Sequence, residues 1–175
     1  RGREPRRPHS LLRGKKRFLE LISRYGQDTV IGAANFWMDY SEKRLRSEIE
    51  KIPDGEYSAE SWLDNDGRNW NKKLRVFVTV KKKGSKLTVD LSGSANEVET
   101  GYNVPFEGSL KVACYYAIRT LLLDQAEIED FIPQNEGIFR AVDVYAPKGS
   151  IFNPNFPRAC FARMAQVQRV IDCII

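Results

Sequence analysis

Histidine is nearly absent from this 175-residue chain. The single one, His9, stands between Pro8 and Ser10, with no cysteine, aspartate or second histidine at metal-ligand spacing. A zinc site built from these residues alone is not expected, and His9 reads as a solvated loop residue. Cysteine is scarce as well. Cys114, Cys160 and Cys173 are odd in number and lie in apolar, helix-like contexts, the pattern of buried reduced thiols in a cytoplasmic protein and not of a disulfide framework. Long apolar runs are missing: the longest stretch, around Ala113 to Leu123, is interrupted by Arg119 and Thr120, so no membrane-spanning helix is expected. There is no nucleophile elbow, dinucleotide fingerprint or phosphate loop, since Gly14-Lys15-Lys16 lacks the upstream glycine that a phosphate loop requires. Asp64 and Asp66 in Leu63-Asp64-Asn65-Asp66-Gly67 open like a calcium loop, but Lys73 occupies the position of its closing glutamate, which leaves a polar turn.

What is present suits one domain with a core. The chain is 42% apolar and 29% charged, enough of each to fill an interior and solvate a surface. Its net charge of +5 is unevenly placed. Arg1, Arg3, Arg6, Arg7, Arg13, Lys15, Lys16 and Arg17 face only Glu4 in the first seventeen residues, a net +7 that leaves −2 for the remainder. The basic character therefore belongs to an arm, residues 1–14, ahead of a single section, residues 15–175. Pro5 and Pro8 are expected to bar a regular helix there. No aromatic residue is interleaved with these cations, so a nucleic-acid partner is not expected, and the arm reads as solvated or as contacting another subunit.

Periodicity predicts an α+β fold. Phe18, Ile22 and Tyr25 recur at helical spacing, with Gly26 placed to cap the C-terminus. Val30, Ala34, Met38, Leu45, Ile49 and Ile52 then mark one face of a longer helix, with Ser41 the lone polar residue in the stripe and Pro53 as its stop. These two make a helical hairpin. Leu74, Val76, Val78 and Val80, then Leu87, Val89 and Leu91, alternate with polar residues around Lys83-Gly84-Ser85, the signature of a β-hairpin. Lys81, Lys82 and Lys83 read as a solvated loop. Pro105 begins a helix to about Leu123 with hardly any polar face, which demands cover on nearly all sides. Pro133 is a stop, Gly137 opens a strand over Ile138 to Tyr145 buried on both faces, Pro147 and Gly149 end it, and a final helix starts at about Arg158.

Three polar residues are candidates for a site. Arg140, near Gly137, has the planar fork that clamps a carboxylate or a phosphorylated intermediate, and it equally suits a structural ion pair. Asn135 shares that strand entry. Asn103, just before Val104-Pro105, stands where free helix N–H groups favour anions, and it equally suits a turn or cap.

The residues Ile132, Pro133, Asn135, Gly137, Phe139, Arg140, Val144, Ala146, Pro147, Gly149, Ser150, Asn153, Pro154 and Pro157 are spaced as in one family, and other blocks follow in order: Phe18 to Gly26, Met38 to Ile49, Pro53 to Tyr57, Leu87 to Ser94, Tyr102 to Leu122 and Gln166 to Asp172. The chain resembles the hydantoinase B/5-oxoprolinase family, which includes N-methylhydantoinase B and the large subunits of acetone and acetophenone carboxylases. The resemblance implies an internal section of a larger subunit, packed against the remainder of that subunit and working with a hydantoinase A-type ATPase subunit. It implies ATP-dependent opening of a cyclic amide such as a hydantoin, 5-oxoproline or a lactam, or alternatively carboxylation of a ketone. It further implies that ATP and Mg are bound by the partner, that the section itself binds no cofactor, and that any divalent metal is held by ligands upstream of residue 1. One departure bears on the choice: hydrolytic relatives tend to read GNxETSQR where Phe161-Ala162-Arg163-Met164-Ala165-Gln166-Val167-Gln168-Arg169 stands here. A third reading, from the lone histidine and the apolar helix, is a non-catalytic assembly domain.

Overall fold

The computed structural model describes residues 7–123 and 131–175, with side chains from Ser10 onward. Helix α1, Arg7–Tyr25, leads across Gly26 into helix α2, Gln27–Glu50. Strands β1, Gly55–Leu63, β2, Leu74–Lys83, and β3, Lys86–Asp90, form an antiparallel meander. A π-turn over Phe106–Leu110 runs into helix α3, Lys111–Leu122. A 3-10 turn over Glu136–Ala141 precedes strand β4, Val142–Tyr145, and helix α4 covers Met164–Ile174. The sheet order is β1-β2-β3-β4, and β4 lies parallel to β3. A parallel neighbour needs a crossover, and the segment carrying α3 supplies it.

The helix break at Gly26 has a backbone cause. Its N–H donates to the Ile22 carbonyl at 2.8 Å and its φ of +83° is a value that glycine adopts without a Cβ clash. Helix α1 begins earlier than Pro8 was expected to allow. Proline lacks the N–H that a first helical turn leaves unused, so Pro8 is accommodated in the opening turn; Pro5 and the cations Arg1, Arg3 and Arg6 lie outside the described residues. The two helices do not bury one another. Leu12, Phe18, Leu19 and Tyr25 on α1, and Ile31, Phe36 and Trp37 on α2, stay exposed.

The second half of α2 joins the body. Ser41, Leu45 and Ile49 are fully buried, as the predicted stripe requires, whereas Ala34 is exposed and Val30, Met38 and Ile52 are only partly buried. Leu45 and Ile49 pack with Val76, Val78, Leu87 and Val89 of the sheet, Cys114 and Ile118 of α3, and Val170 of α4; removing each such side chain from water is worth about 2 kcal/mol. The strand registers separate the two sheet faces. Tyr57, Ala59, Ser61 and Leu63 stand opposite Val80, Val78, Val76 and Leu74 on the helix-covered face. Glu56, Ser58, Glu60 and Trp62 stand opposite Lys81, Thr79, Phe77 and Arg75 on the polar one.

Several expectations are corrected. The predicted strand 138–145 is half 3-10 turn, because Asn135 caps that turn by accepting from the Gly137 N–H at 2.9 Å. What remains is an edge strand with Asp143 and Tyr145 exposed, so it is not buried on both faces. Helix α4 starts at Met164 and not near Arg158, since the Gly101 carbonyl accepts from both Phe161 and Ala162 N–H groups and holds that stretch extended. Lys81, Lys82 and Lys83 all belong to β2; Lys82 is buried and donates to Asp54 at 2.6 Å. Cys160 lies in a bridge to Tyr102, outside any helix. Strand β1 was missed, because few of its residues are β formers and its register is imposed by β2. Helix α3 buries Ala113, Cys114, Ala117 and Ile118 but leaves Val112 63% and Tyr116 56% exposed, so the described residues cover only one of its faces. No helix among the described residues is long and apolar enough to cross a membrane.

Gly137 sits against the backbone of α2. A Cβ built there would fall inside van der Waals contact with the Met38 carbonyl group and 2.8 Å from its Cα. Gly137→Ala is expected to destabilise the chain by about 3 kcal/mol in chemical denaturation; an unchanged midpoint would show that this close approach is not needed.

Candidate functional site

Asn135 and Arg140 meet on α2. The Asn135 side-chain amide donates to the Trp37 carbonyl at 3.1 Å and to Ser41 Oγ at 3.0 Å, and Ser41 Oγ donates to the Pro133 carbonyl at 3.1 Å. Arg140 Nη1 donates to Asp39 Oδ1 at 2.8 Å and Glu42 Oε2 at 3.2 Å. Glu42 is shared, because Arg46 Nε also donates to it at 2.9 Å. Arg46 goes on to the Ser85 and Arg140 carbonyls at 3.0 and 3.1 Å. The hydrogen bond from Arg46, then that from Arg140, holds the Glu42 carboxyl below the usual range against the opposing effect of its burial. Hydrogen bonds from Arg140 to Asp39 and Glu42 raise the guanidinium pKa further. Two carboxylates of this chain thus already match the charge of Arg140, which makes it a clasp between α2 and the turn at 136–141.

Asn103 lies apart from that pair and is fully buried. Its Oδ1 accepts from the Val98 N–H at 2.9 Å, and its Nδ2 donates to the carbonyls of Val98, Thr100 and Ala159 at 2.9, 3.1 and 3.0 Å. Both of its amide protons are engaged, so the side chain ties the loop at 98–103 to the one before α4. Gln166, also fully buried, donates from Nε2 to the neighbouring Tyr102 carbonyl. Sequence reasoning missed this junction and the Arg46 contacts. For Gln166 the signal was a polar residue on the buried face of α4 that also carries Val170; Arg46 lies beside the α2 stripe and gave no such signal.

The Asp64–Gly67 stretch is a turn. Asp66 Oδ1 accepts from the Arg68 and Asn69 N–H groups at 2.9 and 2.7 Å, and Oδ2 from Asn69 Nδ2 at 2.7 Å. Those bonds, the Asn69 N–H first, depress its pKa. Among the described residues no three His, Cys, Asp or Glu side chains converge to hold a metal ion, and the side chain of His9 lies outside them. Burial pushes the Cys114 thiol up to about 12, the opposite of what a nucleophile needs. An apolar groove of about 410 Å³ lies where β1 and β2 meet the C-terminal ends of α3 and α4.

The sequence profile of hydantoinase B/oxoprolinase matches residues 9–175. The chain belongs to the hydantoinase B/oxoprolinase family. It is 43% identical over 166 residues to a Pseudomonas sp. (strain NS671) protein provisionally named as the B-type subunit of a D-/L-hydantoinase, covering 93% of this chain and 28% of that one. It is 28% identical over 147 residues to the acetophenone carboxylase delta subunit of Aromatoleum aromaticum, covering 84% of this chain and 20% of that subunit. The ATP-dependent caprolactamase structure from Pseudomonas jessenii superimposes with a TM-score of 0.77 at 23% identity, over 92% of this chain and 27% of that one, which is a likeness of fold. This hydantoinase B section thus spans between a fifth and three tenths of the length of these relatives.

Asn103→Leu keeps the branched shape and heavy-atom count of the side chain, and strands the Val98 N–H with three carbonyls. We expect a loss of about 3 kcal/mol of stability in chemical denaturation. A loss below about 0.5 kcal/mol would mean that this amide is not a structural tie.

Proposed function

We propose that the chain is a section of the B-type subunit of an ATP-dependent cyclic amide hydrolase, opening a hydantoin, 5-oxoproline or lactam ring in a cytoplasmic complex with a hydantoinase A-type ATPase subunit. The 43% identity to a B-type hydantoinase relative over 93% of this chain carries this reading. ATP and Mg belong to the partner in this proposal, and any divalent metal of the B-type subunit to residues outside this section, because the described side chains offer no ligand set. The section itself supports the fold around the reaction. Asn103, Asn135 and Arg140 direct their hydrogen bonds to other parts of the chain, which supports a role for them in maintaining the shape of the section.

A second reading, a ketone carboxylase subunit, is favoured by the segment Phe161–Arg169, which departs from the hydrolytic pattern, and by the relationship to an acetophenone carboxylase subunit. The full-length subunit with its ATPase partner separates the two. We expect ATP hydrolysis to rise on adding a hydantoin, oxoproline or lactam, with ring-opened acid formed and no need for bicarbonate. Silence towards all of these compounds, with ATP consumed only when bicarbonate and a ketone are both supplied, would replace the hydrolase with the carboxylase.

A further inference from the structure

Strand β1 is the long free edge of the sheet. All nine of its residues are in register with β2, and no described residue pairs with its other side. Every second N–H and C=O along Gly55–Leu63 therefore points away from the sheet with no strand to receive it. Natural edge strands of this length are normally blunted by charged side chains, above all lysine, by proline or by a bulge. Glu56-Tyr57-Ser58-Ala59-Glu60-Ser61-Trp62 has no lysine or proline and an unbroken register, and Glu56 and Glu60 are its charged residues.

The side chains on this edge describe what would fit beside it. On the helix-covered face Tyr57 and Ala59 wall the 410 Å³ groove together with Val80, Leu121 and Ile174, so an added strand would aim every second side chain towards apolar surface. On the polar face Glu56 and Glu60 alternate with Ser58. Arg75 reaches Glu60 from the β2 side at 2.6 Å, while Lys81, opposite Glu56, is engaged by Asp90 at 3.0 Å. Glu60 is thus matched from within the sheet, and Glu56 is the carboxylate that makes the outer side of this face acidic. A second copy of the chain is the less suited occupant: antiparallel self-pairing about Ser58 sets Glu56 against Glu60 of the other copy, like charges that destabilise a pair, and the registers about Tyr57 or Ala59 avoid that clash but bring no cation to either glutamate.

We propose that the β1 edge receives a further strand from the part of the same subunit that lies outside these residues, its alternate side chains apolar towards the groove and cationic beside Glu56. The proposal rests on the reading of the chain as one section of a longer subunit, itself grounded in its spanning 28% of the B-type hydantoinase relative. A segment tethered in the same polypeptide meets the edge at high effective concentration and avoids the association cost borne by a separate chain.

The test uses the full-length subunit with its ATPase partner, carrying Tyr57→p-benzoylphenylalanine, a swap of one half-exposed aromatic ring for another. Irradiation should join this position to a single segment of the same subunit in which apolar and basic residues alternate. In the E56K background the yield should fall about fivefold or more. Amide exchange on the unmodified subunit provides a check independent of any substitution: the outward N–H groups of β1 should exchange about 100-fold more slowly than those of a free edge. Cross-links to the ATPase partner or to a second copy, a same-subunit segment without that alternation, a yield indifferent to charge reversal, or fast exchange of those amides would each overturn the proposal. None of these readouts depends on turnover, so the hydrolase reading stands or falls separately.

Discussion

The seating of residues 132–141 on the middle of α2 is the constraint from which the remaining geometry follows. Gly137 lets the 3-10 turn lie directly on the Met38 backbone, and Asn135 and Ser41 satisfy each other and two exposed carbonyls at that contact. Arg46 then bonds the hairpin carbonyl at Ser85 and the Arg140 carbonyl with one guanidinium. The β2–β3 turn and the entry to β4 are thereby held at a fixed separation, which is what a parallel β3–β4 pair requires after a long crossover. Leu45 and Ile49, one and two turns further along α2, are delivered to the core by the same seating.

Around α4 a second polar junction does the equivalent task. Asn103 links Val98 and Thr100 to Ala159, the Gly101 carbonyl fixes Phe161 and Ala162, and Gln166 returns from α4 to Tyr102. Buried amides are costly unless their capacity is used; Asn103 uses its oxygen and both amide protons, whereas of the Gln166 amide only Nε2 finds a partner among the described residues and the buried Oε1 does not. Asn103 thus ties loops in the interior of the fold, while Arg140 pairs with Asp39 and Glu42 at its surface. The apolar residues left uncovered on α1, on the first half of α2 and on the outer face of α3 belong to a section that fills less than a third of its relatives' length.

Much of this was legible in the residues. The α2 stripe with Ser41 inside it, the Gly26 cap, the hairpin about Gly84-Ser85 and the polar turn at Asp66 all follow from periodicity and turn chemistry. Strand β1 was not, because Glu, Ser, Ala and Gly carry little strand preference and its place depends on distant β2. The 3-10 turn at 136–141 was read as strand, since Ile138, Phe139 and Val142 suit either, and only the Asn135 cap and the close approach of Gly137 to Met38 decide between them. Asn135 and Arg140 were recognisable as paired features at one locus. Their partners, Trp37, Asp39, Ser41 and Glu42, lie about a hundred residues away, a separation that local pattern does not bridge.

The most direct measurement of the central contact is a double-mutant cycle between Ser41→Ala and Asn135→Ala, followed by chemical denaturation. Their side chains are 3.0 Å apart and share the same carbonyl-bonding network, so the two losses should fail to add, with a coupling of about 1 kcal/mol. Strict additivity, within about 0.3 kcal/mol, would contradict the account and place the organising contact of this fold somewhere other than on α2.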